Sequence, residues 1–394
     1  MSDSFSVVSS ESWFSRIVGS IKSVLFGLFL FIVAFPVMYW NEGRAVRTAK
    51  SLTEGLGAVA PVSADSVDPA REGKLVHVSG AVKTSAAITD DEFAVSAQGV
   101  KLFRTAEMYQ WKEHESKETR KKIGGGTETV TTYEYHKEWA SGRIDSSNFK
   151  KPEGHHNPEA SPYESKTFTA NPVTVGAFTM SDEQVAQLTD SEALPVEAGA
   201  AEKLPAAVKG KVKVNDGKFY IGEDAASPQI GDSRISYRVV KPATVSLVAV
   251  QKASTFAPYQ AKAGDVILLV EAGTHTAAEM FKTAQDRNAI LTWILRFVGF
   301  FMMFLGLFMV FRPIAVMADI LPLFGTALSA GIGLFAFLGA VVLSVVTIAV
   351  AWLVVRPVLG VALLVVAAAG IFGLIKVGRG RKAVRAAAKP VPAT

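Results

Sequence analysis

Between Ala289 and Phe311 the chain carries a single charge, Arg296. A run of that length and composition crosses a bilayer as a helix, because in hydrocarbon only a helix or a closed barrel satisfies every backbone group. The residues before it are polar and patterned differently. Thr276-Ala277-Ala278-Glu279 has the spacing of a capping box, and Phe281, Ala284, Asn288 and Leu291 follow at helical intervals. If the helix from Thr276 to Phe311 is unbroken, it is on the order of 50 Å long. It would return the chain from a polar domain to the lipid and couple the two.

The other apolar runs divide the 394-residue chain. Residues 1–22 read as a Ser-rich, mobile start followed by Trp13, Phe14, Ile17, Val18 and Ile21 on one helical face, either an interfacial helix or simply the start of the first span. Residues 23–40 are uncharged and end in Tyr39-Trp40, an aromatic belt position, so they form the first span. No small-residue cleavage site follows, which argues for an uncleaved anchor. A second span covers 289–311, ended by Arg312-Pro313. An elbow at 312–325 contains Asp319 and Pro322, and a third span lies within 326–355. A fourth span covers 358–375, after Arg356-Pro357. Residues 376–394 are basic without an acid and supply much of the net charge of +5. By the positive-inside tendency that tail is cytoplasmic. An even number of spans then puts both termini in the cytoplasm and residues 41–288 outside it. If the source is bacterial, the membrane is the cytoplasmic one. The fold class expected is an α+β membrane protein, with four transmembrane helices and a large strand-rich extracytoplasmic domain inserted between the first and second.

Within 41–288, residues 44–57 are expected to leave the membrane as a helix. From Lys74 the hydrophobic period becomes two. Strands are expected at 75–78, 99–117, 128–141, 211–221, 234–241, 243–251 and 265–271, with a helical insertion at 181–207. A hairpin symmetric about Gly125 would set Trp111 opposite Trp139, Glu113 opposite Lys137, Lys112 opposite Glu138 and His114 opposite His136. Trp111 and Trp139 would then mark a core-facing odd face and leave the even positions to water.

Chemistry is sparse. The chain has no cysteine, which removes thiolate catalysis, disulfides and Cys-ligated zinc. No nucleophile elbow, zincin, Walker or dinucleotide motif is present. The basic tail lacks the fold motif and interleaved aromatics of nucleic-acid binders, so nucleic acid is not an expected partner. His155-His156 and the pair His114 and His136 are potential metal ligands, but solvated or packed histidines are the commoner outcome, and no metal or cofactor is assigned. Arg296 is either an intramembrane functional charge or a side chain reaching to lipid phosphate or the underside of the domain. Trp13, Trp40, Arg44, Trp293, Arg296, Asp319 and Arg356 are the candidate interface or lipid contacts. The small residues Ser329, Gly333, Ala336 and Ala340 suit close helix packing or association between copies.

Asn41-Glu42-Gly43-Arg44-Ala45, Ser51-Leu52-Thr53-Glu54-Gly55-Leu56, Gly73-Lys74-Leu75-Val76-His77 and Glu107-Met108-Tyr109-Gln110-Trp111 stand in order along the chain. Glu138-Trp139, Asn148-Phe149, Gly154-His155-His156-Asn157-Pro158, Gly231-Asp232, Gly264-Asp265, Thr292-Trp293 with Arg296, and Arg356-Pro357 follow them. In sequence and spacing the chain resembles the transmembrane protein 43 (LUMA) family along nearly its whole length. It departs mainly at the hairpin tip and near 181–207. The resemblance implies four spans with a large extracytoplasmic or lumenal domain, self-association, and membrane-protein partners. It carries over no catalytic residues.

A non-enzymatic membrane scaffold is therefore expected, self-associating and organising lipids or partner proteins. The alternative is a lipid or small-ligand binding sensor or transporter at the junction of domain and membrane, which predicts an apolar cavity faced by Arg296.

Overall fold

The computed structural model describes residues 3–206, 208–210, 212–358, 361–362, 365 and 369. The chain is α+β. It divides into two units: a domain unit of Met1–Val8, Ser51–Glu118 and Val130–Ala284, and a helical unit of Ser9–Lys50, Thr119–Thr129 and Gln285–Thr394. Among the described residues the α-helices are α1 (Trp13–Ala58), α2 (Asp182–Ala186), α3 (Ala277–Ala318) and α4 (Pro322–Val355).

Two large sheets build the domain unit. In one, Lys101–Met108 pairs antiparallel with Ser233–Val240. In the other, Leu75–Ala81 pairs antiparallel with Thr244–Val250. The second pairing explains why residues 245–250 read as an almost continuous apolar run. Val245, Leu247 and Ala249 face one core with Val76 and Val78. Val248 faces another, with Leu52, Leu75, Ile267, Met280 and Phe281. A strand covered on both faces does not alternate. Gly55 lets the last turns of α1 approach that second core, since a Cβ there would fall 2.8 Å from the Phe281 ring. The capping box at Thr276 forms as expected: the Glu279 carboxylate accepts from Thr276 N at 2.7 Å, and Glu279 N donates to Thr276 Oγ1 at 3.3 Å.

Several expectations change. Residues 3–11, expected to be mobile, form the edge strand of the eight-stranded sheet beside Thr127–Ser141. Within the domain unit, Ser6 Oγ lies 2.9 Å from Thr132 Oγ1, and Phe5 stacks on Tyr133 at 5.3 Å. The helical insertion at 181–207 reduces to α2, a strand at Glu192–Leu194 and a 3-10 turn at Ala198–Lys203. Pro195, Gly199 and Pro205 break any longer helix. The single strand expected at 211–221 is a hairpin, turning at Asp216-Gly217 with both φ positive.

The long hairpin forms, but in a different register. Trp139 packs on Tyr109 at 5.3 Å, Lys137 lies over the Trp111 ring at 4.8 Å, and the Tyr135 hydroxyl donates to Glu113 at 2.7 Å. These contacts centre the hairpin on Gly124. A two-residue shift keeps each side chain on its face. The expected burial is nevertheless reversed at the base, where even positions Leu102, Arg104, Ala106, Met108 and Gln110 are buried. The odd face is buried at Tyr135, packed by Phe5, Phe149 and His155.

Among the described residues three helices are long and apolar enough to cross a membrane. The first is not interrupted. Trp13–Ala58 is one helix that contains Pro36 and absorbs both the expected interfacial segment and the helix at 44–57. Arg312-Pro313 does not end the second, which continues to Ala318. Most of the fourth expected span, 358–375, and the basic tail lie outside the described residues. Packing joins Ala34 and Met38 of α1, Met303 of α3 and Ala340 of α4, rimmed by Phe31, Phe35, Phe300 and Phe304. Glycines allow α1 and α3 to approach closely: a Cβ on Gly27 would lie 2.9 Å from the Gly306 carbonyl. The small residues Ala336 and Ala340 are fully buried, so their stripe serves packing within this unit. Leu25, Phe29, Ile32, Phe297, Leu334 and Phe335 face outward.

Candidate functional site

Position 42 of α1 and position 296 of α3 meet in an ion pair. The Arg296 Nε and Nη2 donate to the two Glu42 carboxylate oxygens at 2.6 and 2.8 Å. The Trp352 indole of α4 donates to the same carboxylate at 2.5 Å. The guanidinium lies 4.8 Å from the Trp293 ring centroid and 5.7 Å from that of Trp352, while Arg356 stacks on Trp352 at 5.9 Å. Glu42 is 1 % exposed, and burial of that kind demands a full set of partners. One helical turn away along α3 the partners are neutral amides and hydroxyls, including those that the Arg44 guanidinium meets. Asn41 donates to the Thr292 carbonyl at 3.1 Å, and Arg44 donates to Asn288 Oδ1 at 2.8 Å and Thr292 Oγ1 at 3.0 Å. Asn288 returns a bond to the Ala45 carbonyl at 2.9 Å. All three long helices are thus fastened at one level, and the Arg296 head is turned into the protein.

A second ionic cluster lies at the other end of the same helices. Asp319, 2 % exposed, accepts from Arg16 Nη2 at 2.5 Å and Lys121 Nζ at 2.6 Å. Burial would raise its carboxyl, but the hydrogen bonds from Lys121 and Arg16 hold it below the ordinary aspartate value. The Trp13 indole donates to the Val316 carbonyl at 2.9 Å. Roughly 39 Å of helix separates Arg16 from Glu42, and roughly 35 Å separates Arg296 from Asp319. An apolar slab lies between, comparable with a bilayer core of about 30 Å plus its interfaces.

Of the residues singled out from sequence, Arg44, Trp293, Arg296 and Arg356 converge on the first cluster. Trp13 and Asp319 converge on the second. Trp40 stands outside both, half exposed. Trp111 and Trp139 belong to the hairpin. Sequence reading missed Glu42 and Trp352 as partners of Arg296, and Arg16 and Lys121 as partners of Asp319. A usable signal existed for the first pair, since Glu42 is the acid that directly follows the opening apolar run.

In the domain unit the histidines serve structure. His155 Nδ1 lies 2.9 Å from the Lys151 carbonyl and Nε2 lies 2.9 Å from Asp3, with the ring stacked on Tyr135. Ser79 Oγ is 3.5 Å from His77 Nε2, but that nitrogen is the one 2.9 Å from the His275 carbonyl, to which it donates. A ring nitrogen used as a donor cannot take the serine proton. Among the described residues no group of three His, Asp or Glu side chains is placed to hold a metal ion. A buried network joins Asp90, Arg104 and Tyr237, with Arg104 Nη1 at 2.9 Å from Asp90 Oδ2 and the Tyr237 hydroxyl donating to the same oxygen at 2.7 Å. Burial and that carboxylate push the Tyr237 hydroxyl far above its ordinary value, so it stays protonated.

Apolar helices fastened by buried ion pairs, together with a strand-rich polar domain, define an α+β membrane protein. A family profile described as Transmembrane protein 43 matches residues 108–357. Transmembrane protein 43 of Mus musculus is 35 % identical over 342 residues, covering 84 % of each chain. The Homo sapiens protein is 34 % identical over 361 residues, covering 89 % of this chain and 88 % of its own. A Drosophila melanogaster homologue is 29 % identical over 356 residues, covering 87 % of this chain and 92 % of its own. No solved structure matches. The chain belongs to the transmembrane protein 43 family.

Proposed function

We propose that this protein is a non-enzymatic integral membrane scaffold, which self-associates and organises lipids or membrane-protein partners. The observation that carries this reading is the closure of the helical charges on one another. Arg296 is saturated by Glu42 and framed by Trp293 and Trp352. Through the middle of the spans the outside of the helices carries apolar side chains such as Leu25, Phe29, Ile32, Phe297 and Leu334, available to lipid and to other copies. The alternative of a ligand sensor or transporter needs Arg296 to face a cavity, and its guanidinium is already engaged. A fourth span at 358–375 would bring the basic tail to the cytoplasmic face, and the polar domain stands between the first and second spans.

The test is the mass of the particle. In mild detergent, and again in native lipid discs, the scaffold runs as an assembly of two or more copies. A strict monomer in both would overturn the reading.

A further inference from the structure

The tip of the long hairpin, Thr119–Thr129, belongs to the helical unit. Lys121 donates to Asp319 Oδ1 at 2.6 Å, and Gly124 N donates to the Ile320 carbonyl at 3.2 Å. Arg16 completes the contact, giving one guanidinium nitrogen to Asp319 and the other to the Gly125 carbonyl. Gly125 has φ +82, and a Cβ there would fall 2.9 Å from Trp13 Cγ. Conformation and space both demand glycine at that point. Asp319 packs so closely on Gly325 that a side chain at 325 would collide with it. The receptor is thus a built one: a buried carboxylate, an arginine, an indole and a free carbonyl, each used by the tip or by its neighbour.

We propose that the hairpin tip is a docking segment for the elbow between α3 and α4, and that it lies on the same membrane face as that elbow and the start of α1. Glu42 and Lys121 sit near opposite ends of the same helices. Residues 41–288, expected outside the cytoplasm as one block, are then not confined to a single face. Lys117, Glu118, Arg120 and Lys121 lead to the tip, and charges of that density do not stand in hydrocarbon. Their path is lined by water or protein.

The absence of cysteine makes the test direct. Ile123 is 91 % exposed at the tip, Leu321 is 56 % exposed at the elbow, and Lys50 is exposed on α1 beyond Glu42. Single variants Ile123→Cys, Leu321→Cys and Lys50→Cys are placed in sealed vesicles of one orientation and treated with a membrane-impermeant maleimide. Ile123→Cys and Leu321→Cys label from one face and Lys50→Cys from the other. Opposite faces for the first two, or one face for all three, would overturn the proposal. Hydrogen exchange reads the docking itself. Lys121→Met, which removes only the cation offered by the tip, speeds exchange at residues 119–129 about tenfold and leaves residues 75–81 unchanged. Exchange at the tip equal to that of the parent chain would sink the docking role. Particle mass does not enter either readout, so this result stands apart from the scaffold test.

Discussion

Glu42 and Arg296 show what a single residue does in this protein. Glu42 is buried and Arg296 mostly so, at 2 % and 16 % side-chain exposure, so removing either leaves the other's charge without its counter-ion in a largely dry place. Glu42→Ala is expected to cost about 3–5 kcal/mol, read as a lowered midpoint of thermal unfolding in detergent. The paired variant Glu42→Leu with Arg296→Leu should recover much of that loss, because no charge is then left buried. If the single and double variants are equally unstable, the clasp is not held by charge. His77 makes the corresponding statement in the domain unit. Burial lowers its ring below the ordinary value of 6.5, against the opposing hydrogen bond to the His275 carbonyl. The unfolded chain therefore binds the proton more readily. Stability should be level above that value and fall with acidification through the window beneath it, by at most about 1.4 kcal/mol per pH unit. Denaturant midpoints measured against pH should show this slope in the parent chain and a shallower one in His77→Gln. The charged residues were visible in the sequence; their partners were not. A pairing between residues 42 and 296 depends on how two helices lie side by side, which no local pattern encodes.

At the scale of elements, periodicity found the apolar helices and most strands, and it failed where a local breaker was overruled. Pro313, read as the end of the second span, sits inside a long helix because it removes only one backbone bond, while neighbouring turns and packing hold the rest. The opposite error occurred at 181–207, where helix-forming composition lost to Pro195 and Pro205. The hairpin was legible as two facing strands, and Lys112 does meet Glu138 at 2.7 Å. Its centre was misplaced because three successive glycines offer more than one turn. Its buried side was misassigned because both faces are covered at different heights. The contact between Gly27 and Gly306 supplies the prediction at this scale. Gly27→Leu should separate α1 from α3 and lower the unfolding midpoint sharply. Gly43→Ala, with nothing within 4 Å of its new methyl, should raise stability by about 0.5–1 kcal/mol. Equal effects from the two would mean that helix propensity, not close approach, governs this packing.

For the whole molecule, the sequence was most informative about class and least about sidedness. Hydropathy and the strand period are local sums, so an α+β membrane protein followed from them directly. Which parts share a compartment depends on contacts such as Lys121 with Asp319, between residues far apart in the chain. The two ionic clusters also fix a length. Because Arg16, Asp319, Glu42 and Arg296 are committed to partners inside the protein, none can swing outward to adjust to a thin bilayer. A helix of fixed apolar length in a short lipid must tilt, or the lipid around it must stretch. Stretched lipid is costly in proportion to the perimeter over which it is shared. Copies that adjoin one another reduce that perimeter and are drawn together with no specific contact between them. Association should therefore strengthen as acyl chains shorten, and measured particle size across discs of graded lipid length would register it.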